Sequence, residues 1–118
     1  MTNDRLNPLV KVSPEMTEAC LAAIEVWGQA EQLIQSMGEC GEYTAEVGRH
    51  FQGRDPELNN VLDEAADVVI LMMQVRELVG SEKFDQVLSR KFEKFRLKVN
   101  QAKLCAQESV LTKGVDRC

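Results

Sequence analysis

An all-α fold, a four-helix antiparallel bundle, is what this sequence predicts, and three observations lead there. Apolar residues recur at steps of three and four through several long stretches, the period of a helix with one packed face. No run alternates with a period of two over a convincing length, and Gly-rich hairpin signals are absent, which argues against strands. The connections between the helical stretches are short, which favours antiparallel neighbours.

Residues 1–13 are polar, contain Pro8 and carry no helical period, so an irregular arm is expected there. Ser13-Pro14-Glu15 is a helix start: the serine hydroxyl satisfies a free backbone donor, proline supplies the right φ, and the acid favours the first turn. Met16, Cys20, Ile24 and Trp27 then form the packing stripe of a first helix, and Gly28 marks a break or bend. From Gln29 to about Phe51 the stripe Leu33, Met37, Cys40, Tyr43 or Thr44 and Val47 predicts a second helix. Gly38, Gly41 and Gly48 interrupt it, each at a cost of roughly 0.5–1 kcal/mol relative to alanine. At Gly38 and Gly41 the reading is close helix contact or ligand access, with tolerance of weak spots as the plainer alternative.

The segment 52–57 reads as a loop in which Asp55 caps and Pro56 leads a third helix, about 56–79. That helix is apolar nearly all round, with Val61, Leu62, Ala65, Val68 to Met73 and Val75, so it belongs at the centre. Gly80 ends it and Ser81 caps a fourth helix, about 82–107, with Phe84, Val87, Leu88, Phe92, Phe95 and Val99 toward the core. The remainder from Glu108 is expected to fray. The resulting organisation is an arm over 1–13, a helical domain over 14–107 and a flexible tail over 108–118.

At 118 residues the chain can bury one core but not two. Its 44 % hydrophobic and 28 % charged residues are the balance of an ordinary globular protein. The net charge of −5, with fourteen spread-out Lys and Arg, argues against a duplex nucleic acid partner. Cys20, Cys40, Cys105 and Cys118 have no Cys-x-x-Cys spacing and no neighbouring histidine, which argues against zinc and for reduced thiols. There is no signal-like apolar start and no apolar run of about 18 residues, so neither secretion nor a membrane partner is expected, and a cytoplasmic location is.

Within this frame two acidic pairs stand out, Glu39-x-x-Glu42 and Glu64-x-x-Asp67, each inside an apolar helical stretch. A three-residue step puts both members on one helix face, roughly 5–6 Å apart at Cβ. Two antiparallel helices can therefore converge four carboxylates. Carboxylates brought together away from water repel and resist desolvation, and a hard divalent cation with oxygen ligands is the natural neutraliser. Mg2+ is the expected cofactor, with Mn2+ a substitute, and it implies a phosphate-bearing substrate.

The residues Trp27, Met37-Gly38-Glu39-Cys40-Gly41-Glu42, Asp63-Glu64-Ala65-Ala66-Asp67-Val68-Val69, Lys91 and Arg96 resemble the all-α nucleoside triphosphate pyrophosphohydrolases. This MazG-like superfamily includes dimeric dUTPases and dCTP pyrophosphatases, and its signature is Glu-x-x-Glu followed by Glu-x-x-Asp. The resemblance spans roughly residues 14–100. It implies hydrolysis of a (d)NTP between the α and β phosphates, giving the (d)NMP and pyrophosphate, as a nucleotide-pool housecleaning activity. By motif position, Glu39, Glu42, Glu64 and Asp67 would ligate the metal, and Glu39 or Glu42 would position or deprotonate the attacking water. Lys91 and Arg96 would face phosphate, the plainer reading being a solvated face beside Arg90, Lys94 and Lys98. Two departures stand out: Phe95 beside Arg96, where many relatives carry an asparagine between the basic positions, and Gly38, where the family often has a further glutamate. Trp27 has two readings, stacking on a base or core packing, and Tyr43 is similar. His50, beside Arg49, reads as an exposed loop histidine with phosphate contact as the alternative.

A ferritin-like di-iron bundle needs Glu-x-x-His pairs, and the single histidine does not supply them. No Ser-His-Asp or Cys-His set and no phosphate loop is present. The competing class is a non-catalytic helical interaction module whose glutamates pair with another chain; Glu64 and Asp67 in an apolar run speak against it. The all-round apolarity of the third helix exceeds what one small chain covers, so a homodimer or homotetramer is expected.

Overall fold

The computed structural model describes residues 12–112. Among them the backbone is helical apart from short connections, with no strand. The helices are α1 (Pro14–Trp27), α2 (Gln29–Phe51), α3 (Asn59–Val79) and α4 (Ser81–Thr112). The all-α expectation holds. The expected arm falls outside the described residues except for Val12 and Ser13, and the tail does so from residue 113. No helix among the described residues is long and apolar enough to cross a membrane.

Local chemistry sets most boundaries. The Ser13 hydroxyl accepts from the Met16 N–H at 3.2 Å, and Pro14 opens α1. Gly28 takes φ +89° between α1 and α2, and its N–H donates to the Ile24 carbonyl at 2.8 Å. Gly80, at φ +96°, separates α3 from α4. Side chains other than glycine rarely adopt such angles, so both breaks are written into the sequence.

The start of α3 differs from expectation. Pro56 does not lead the helix; the chain makes another turn, with Leu58 donating to the Asp55 carbonyl at 3.1 Å and adopting φ +63°. Asp55 still caps, from farther upstream. Its carboxylate accepts from the N–H groups of Asn59 (2.9 Å), Asn60 (3.0 Å) and Val61 (3.2 Å), and the residue is buried. Three charge-assisted bonds cover the free donors of the first turn. At the other end, α4 continues to Thr112, past the end expected at about 107, so residues 108–112 are helical rather than part of a frayed tail.

The chain divides into two compact units. In the first, α3 packs most extensively on α2 and also on α1. The second is α4 from Glu82 onward. Among the described residues the buried apolar ones are few: Cys20 on α1 with Leu71 and Met73 on α3. The stripe expected to pack α2 is instead exposed at Leu33, Met37 and Tyr43, with Met37 at 74 %. The polar face of α2 is the one turned inward, with Gln32 buried and Glu39 and Glu46 half-buried. Close approach at Gly38 and Gly41 is not made either, since a Cβ at those positions, as at Gly48, meets open space. Cys20 and Cys40 are free thiols, whereas Cys105 is disulfide-bonded, which corrects the expectation of reduced cysteines throughout.

Candidate metal centre

Because α2 and α3 run antiparallel, residues that rise along one helix meet residues that fall along the other. Glu39 on α2 meets Glu64 and Asp67 on α3, with one carboxylate oxygen from each lying within 4.8 Å of the other two. One step along, Glu42 is hydrogen-bonded to Glu64. All four carboxylates singled out by the spacing therefore share one region of the α2–α3 contact. Glu39 and Glu64 are half-buried, and Glu42 and Asp67 are exposed.

The electrostatics are those of a site short of positive charge. Burial pushes the Glu64 carboxyl above the ordinary carboxylate range, and the Glu42 charge, the hydrogen bond with Glu42, and the charges of Asp67 and Glu39 push it further. Glu39 Oε2 and Glu64 Oε2 are buried without a hydrogen-bond partner. Glu39 Oε1 accepts from Gln35 Nε2 at 3.3 Å, which fixes that side chain while leaving its other oxygen unbonded. Buried acceptors of this kind are costly unless a ligand uses them. The donor set is carboxylate oxygen, which suits Mg2+ or Mn2+ and does not suit metals that favour thiolate or imidazole.

Glu46 extends the acidic face of α2 and pairs with Arg49, yet its Oε2 is also buried without a partner. The sequence reading missed it. Its seven-residue step from Glu39 was the available signal.

Trp27 is exposed at 63 % and lines a cavity of about 400 Å³ bounded also by Gln32, Gln35, Glu39, Asp67 and Gln74. Within the single chain Trp27 is therefore not a core residue. Gln32 and Gln74 had not been singled out. Lys91 and Arg96 belong to α4, and the Arg96 guanidinium is engaged by Glu93 on its own helix, at 3.0 Å from Nε and 2.5 Å from one terminal nitrogen. That pairing raises the Arg96 pKa further above its ordinary value. His50 lies in the last turn of α2 rather than in a loop; it is half-buried and its Nδ1–H donates to the Asp55 carbonyl at 2.7 Å. It is a structural tie.

Comparison of the chain with models of protein families, with curated proteins and with solved structures finds no match. The reading of this centre therefore rests on its geometry.

Proposed function

We propose that this protein is a Mg2+-dependent nucleoside triphosphate pyrophosphohydrolase of the MazG-like kind, cleaving a (d)NTP to (d)NMP and pyrophosphate. The observation that carries this reading is the convergence of Glu39, Glu42, Glu64 and Asp67 from two helices, with two buried carboxylate oxygens left without partners. Glu39, Glu64 and Asp67 would hold the cation, their oxygens being the three that lie together. Bound magnesium supplies charge neutralisation on phosphate oxygens and orients the group under attack. Glu42 lies beside Glu64 but outside that oxygen triad, so it is the carboxylate not committed to the cation and would orient a water and take its proton. Arg96 would have to exchange Glu93 for phosphate to act on the substrate.

The same reading includes an antiparallel four-helix bundle, a cytoplasmic setting and a homodimer or homotetramer. The oligomer is supported by the many large apolar side chains left exposed, among them Met37, Leu62, Phe51 and Phe95, more than an isolated soluble chain usually carries.

The test is pyrophosphate and monophosphate release from a panel of NTPs and dNTPs, with and without Mg2+, for the native protein and Glu64→Ala. Metal-dependent release is expected from the native protein and a loss of at least on the order of 100-fold in the variant. Absence of release from folded native protein with every nucleotide would discard the hydrolase reading in favour of the interaction module.

A further inference from the structure

Of the three carboxylates whose oxygens lie together, Glu39 is the one that α2 supplies, Glu64 and Asp67 coming from α3. How α2 takes part in holding a cation therefore depends on how this single side chain is set. Four residues back on the same helix, Gln35 donates from Nε2 to Glu39 Oε1 at 3.3 Å. Side chains at that spacing lie one above the other on a helix face. The direction of the bond is fixed by its partner: an ionised carboxylate only accepts, so the carboxamide turns its amino group toward Glu39.

The kind of donor matters. Glu46 and Glu93 are each paired with an arginine three residues on, which sets a positive charge against the carboxylate. Gln35 is neutral, so it holds Glu39 and leaves the negative charge in place for a cation. It also makes the two oxygens unlike: Oε1 is engaged by the amide, whereas Oε2 is buried without a partner. A carboxylate set in this way offers an ion one oxygen. Hard divalent ions differ in how they take that. Mg2+ demands a compact octahedral shell and keeps several waters, while Ca2+ takes more oxygens in a looser shell and accepts both oxygens of one carboxylate.

We propose that Gln35 is a positioning residue that sets the ion preference of the centre: by occupying Glu39 Oε1 it keeps Glu39 a one-oxygen ligand and so favours Mg2+ over Ca2+. This rests on the metal-dependent reading above and extends it to a residue outside the two acidic pairs. Gln35 acts through Glu39, as groups behind a metal ligand commonly do.

Gln35 is exposed, so substitutions there are compatible with folding. The experiment titrates Mg2+ and, separately, Ca2+ into native protein, Gln35→Met and Gln35→Lys by calorimetry without nucleotide, with the melting temperature of each metal-free protein measured alongside. Methionine keeps the length of the side chain and removes the donor; lysine returns a donor to Oε1 and adds a positive charge. The native protein should bind Mg2+ more tightly than Ca2+. Gln35→Met should shift the ratio of the two dissociation constants at least about tenfold toward Ca2+, with the metal-free melting temperature unchanged. Gln35→Lys should bind both ions more weakly at the native ratio. A ratio that Gln35→Met leaves unchanged, or that Gln35→Lys shifts as far as Gln35→Met does, overturns the proposal, and Mg2+ binding that persists in either case leaves the hydrolase reading standing. Native protein that binds neither ion removes the metal centre and the proposal together. An ion preference that depends on Gln35 in a protein that hydrolyses no nucleotide keeps the proposal and removes the hydrolase.

Discussion

The two faces of α2 reverse the usual arrangement, and comparing them explains most of what this chain needs. The inward face carries Gln32, Glu39 and Glu46 toward the interior of the three-helix unit, while the outward face exposes Leu33, Met37 and Tyr43. The packing of α1 on α3 is ordinary by contrast, with Cys20, Leu71 and Met73 buried. Apolar surface is normally what drives a helix onto its neighbours. A helix that turns its acids inward is held by something other than that drive, and a helix that leaves its apolar stripe outside has contact area to spare. The proposed cation would answer the first, and the proposed second chain the second.

The largest expected effect lies on exposed apolar residues, Met37 on the outer face of α2 and Leu62 on α3. Met37→Glu and Leu62→Glu place a charge on residues that are 74 % and 70 % exposed in the single chain, where a monomer would tolerate either within about 0.5 kcal/mol. In an oligomer that buries them the cost is on the order of 2–4 kcal/mol per site, and sedimentation should show the mass falling to that of one chain. An unchanged mass and melting temperature would remove the account of this face.

The inner face should respond next most strongly. Mg2+ at about one hundred times its dissociation constant should stabilise the native protein by about 2.7 kcal/mol, read as a rise in melting temperature. Glu39→Gln should abolish most of that rise while leaving the metal-free protein at least as stable, because it removes one of the mutually repelling carboxylates around Glu64. A magnesium response that survives the substitution would place the cation elsewhere.

Thiol labelling compares the helices directly. Burial and the nearby Glu77 charge push the Cys20 thiol up, whereas Cys40 is exposed on α2. Cys40 should react at least about tenfold faster than Cys20 with a neutral alkylating reagent near neutral pH. Slowing of Cys40 as protein concentration rises would show the outer face being covered.

The smallest effect is at the glycines. Gly38→Ala and Gly41→Ala meet open space in the single chain and should each stabilise by roughly 0.5–1 kcal/mol in chemical denaturation. Destabilisation instead would reveal a partner backbone packed against those positions.

How much of this could be read from the residues alone depended on how local the cause was. Ser13-Pro14, Gly28 and Gly80 act within a turn of where they stand, so the limits of α1, α2 and α3 at those points were legible. The pairs Glu39/Glu42 and Glu64/Asp67 were legible because a three-residue step fixes a face whatever the helix packs on. What the step cannot fix is which face turns inward, and the rule that apolar stripes go inside misplaced Leu33, Met37 and Tyr43. Glutamine is an ordinary surface residue, so Gln32 and Gln74 gave no compositional signal, although their seven-residue offset from Glu39 and Asp67 was there to find. Leu58 at positive φ could not be foreseen from a leucine.

That same turn governs more than the start of a helix. Asp55 is bonded to three N–H groups of α3, and His50 in the last turn of α2 holds the Asp55 carbonyl. The rotational phase of α3 about its own axis is thereby locked to the end of α2. A residue inserted within α3 between Val61 and Glu64, beyond that tie, would turn the following helix by about 100°, swinging Glu64 and Asp67 away from Glu39 without touching any of the three. Asp55 works as a timing pin for the acidic centre, nine residues before Glu64 and twelve before Asp67.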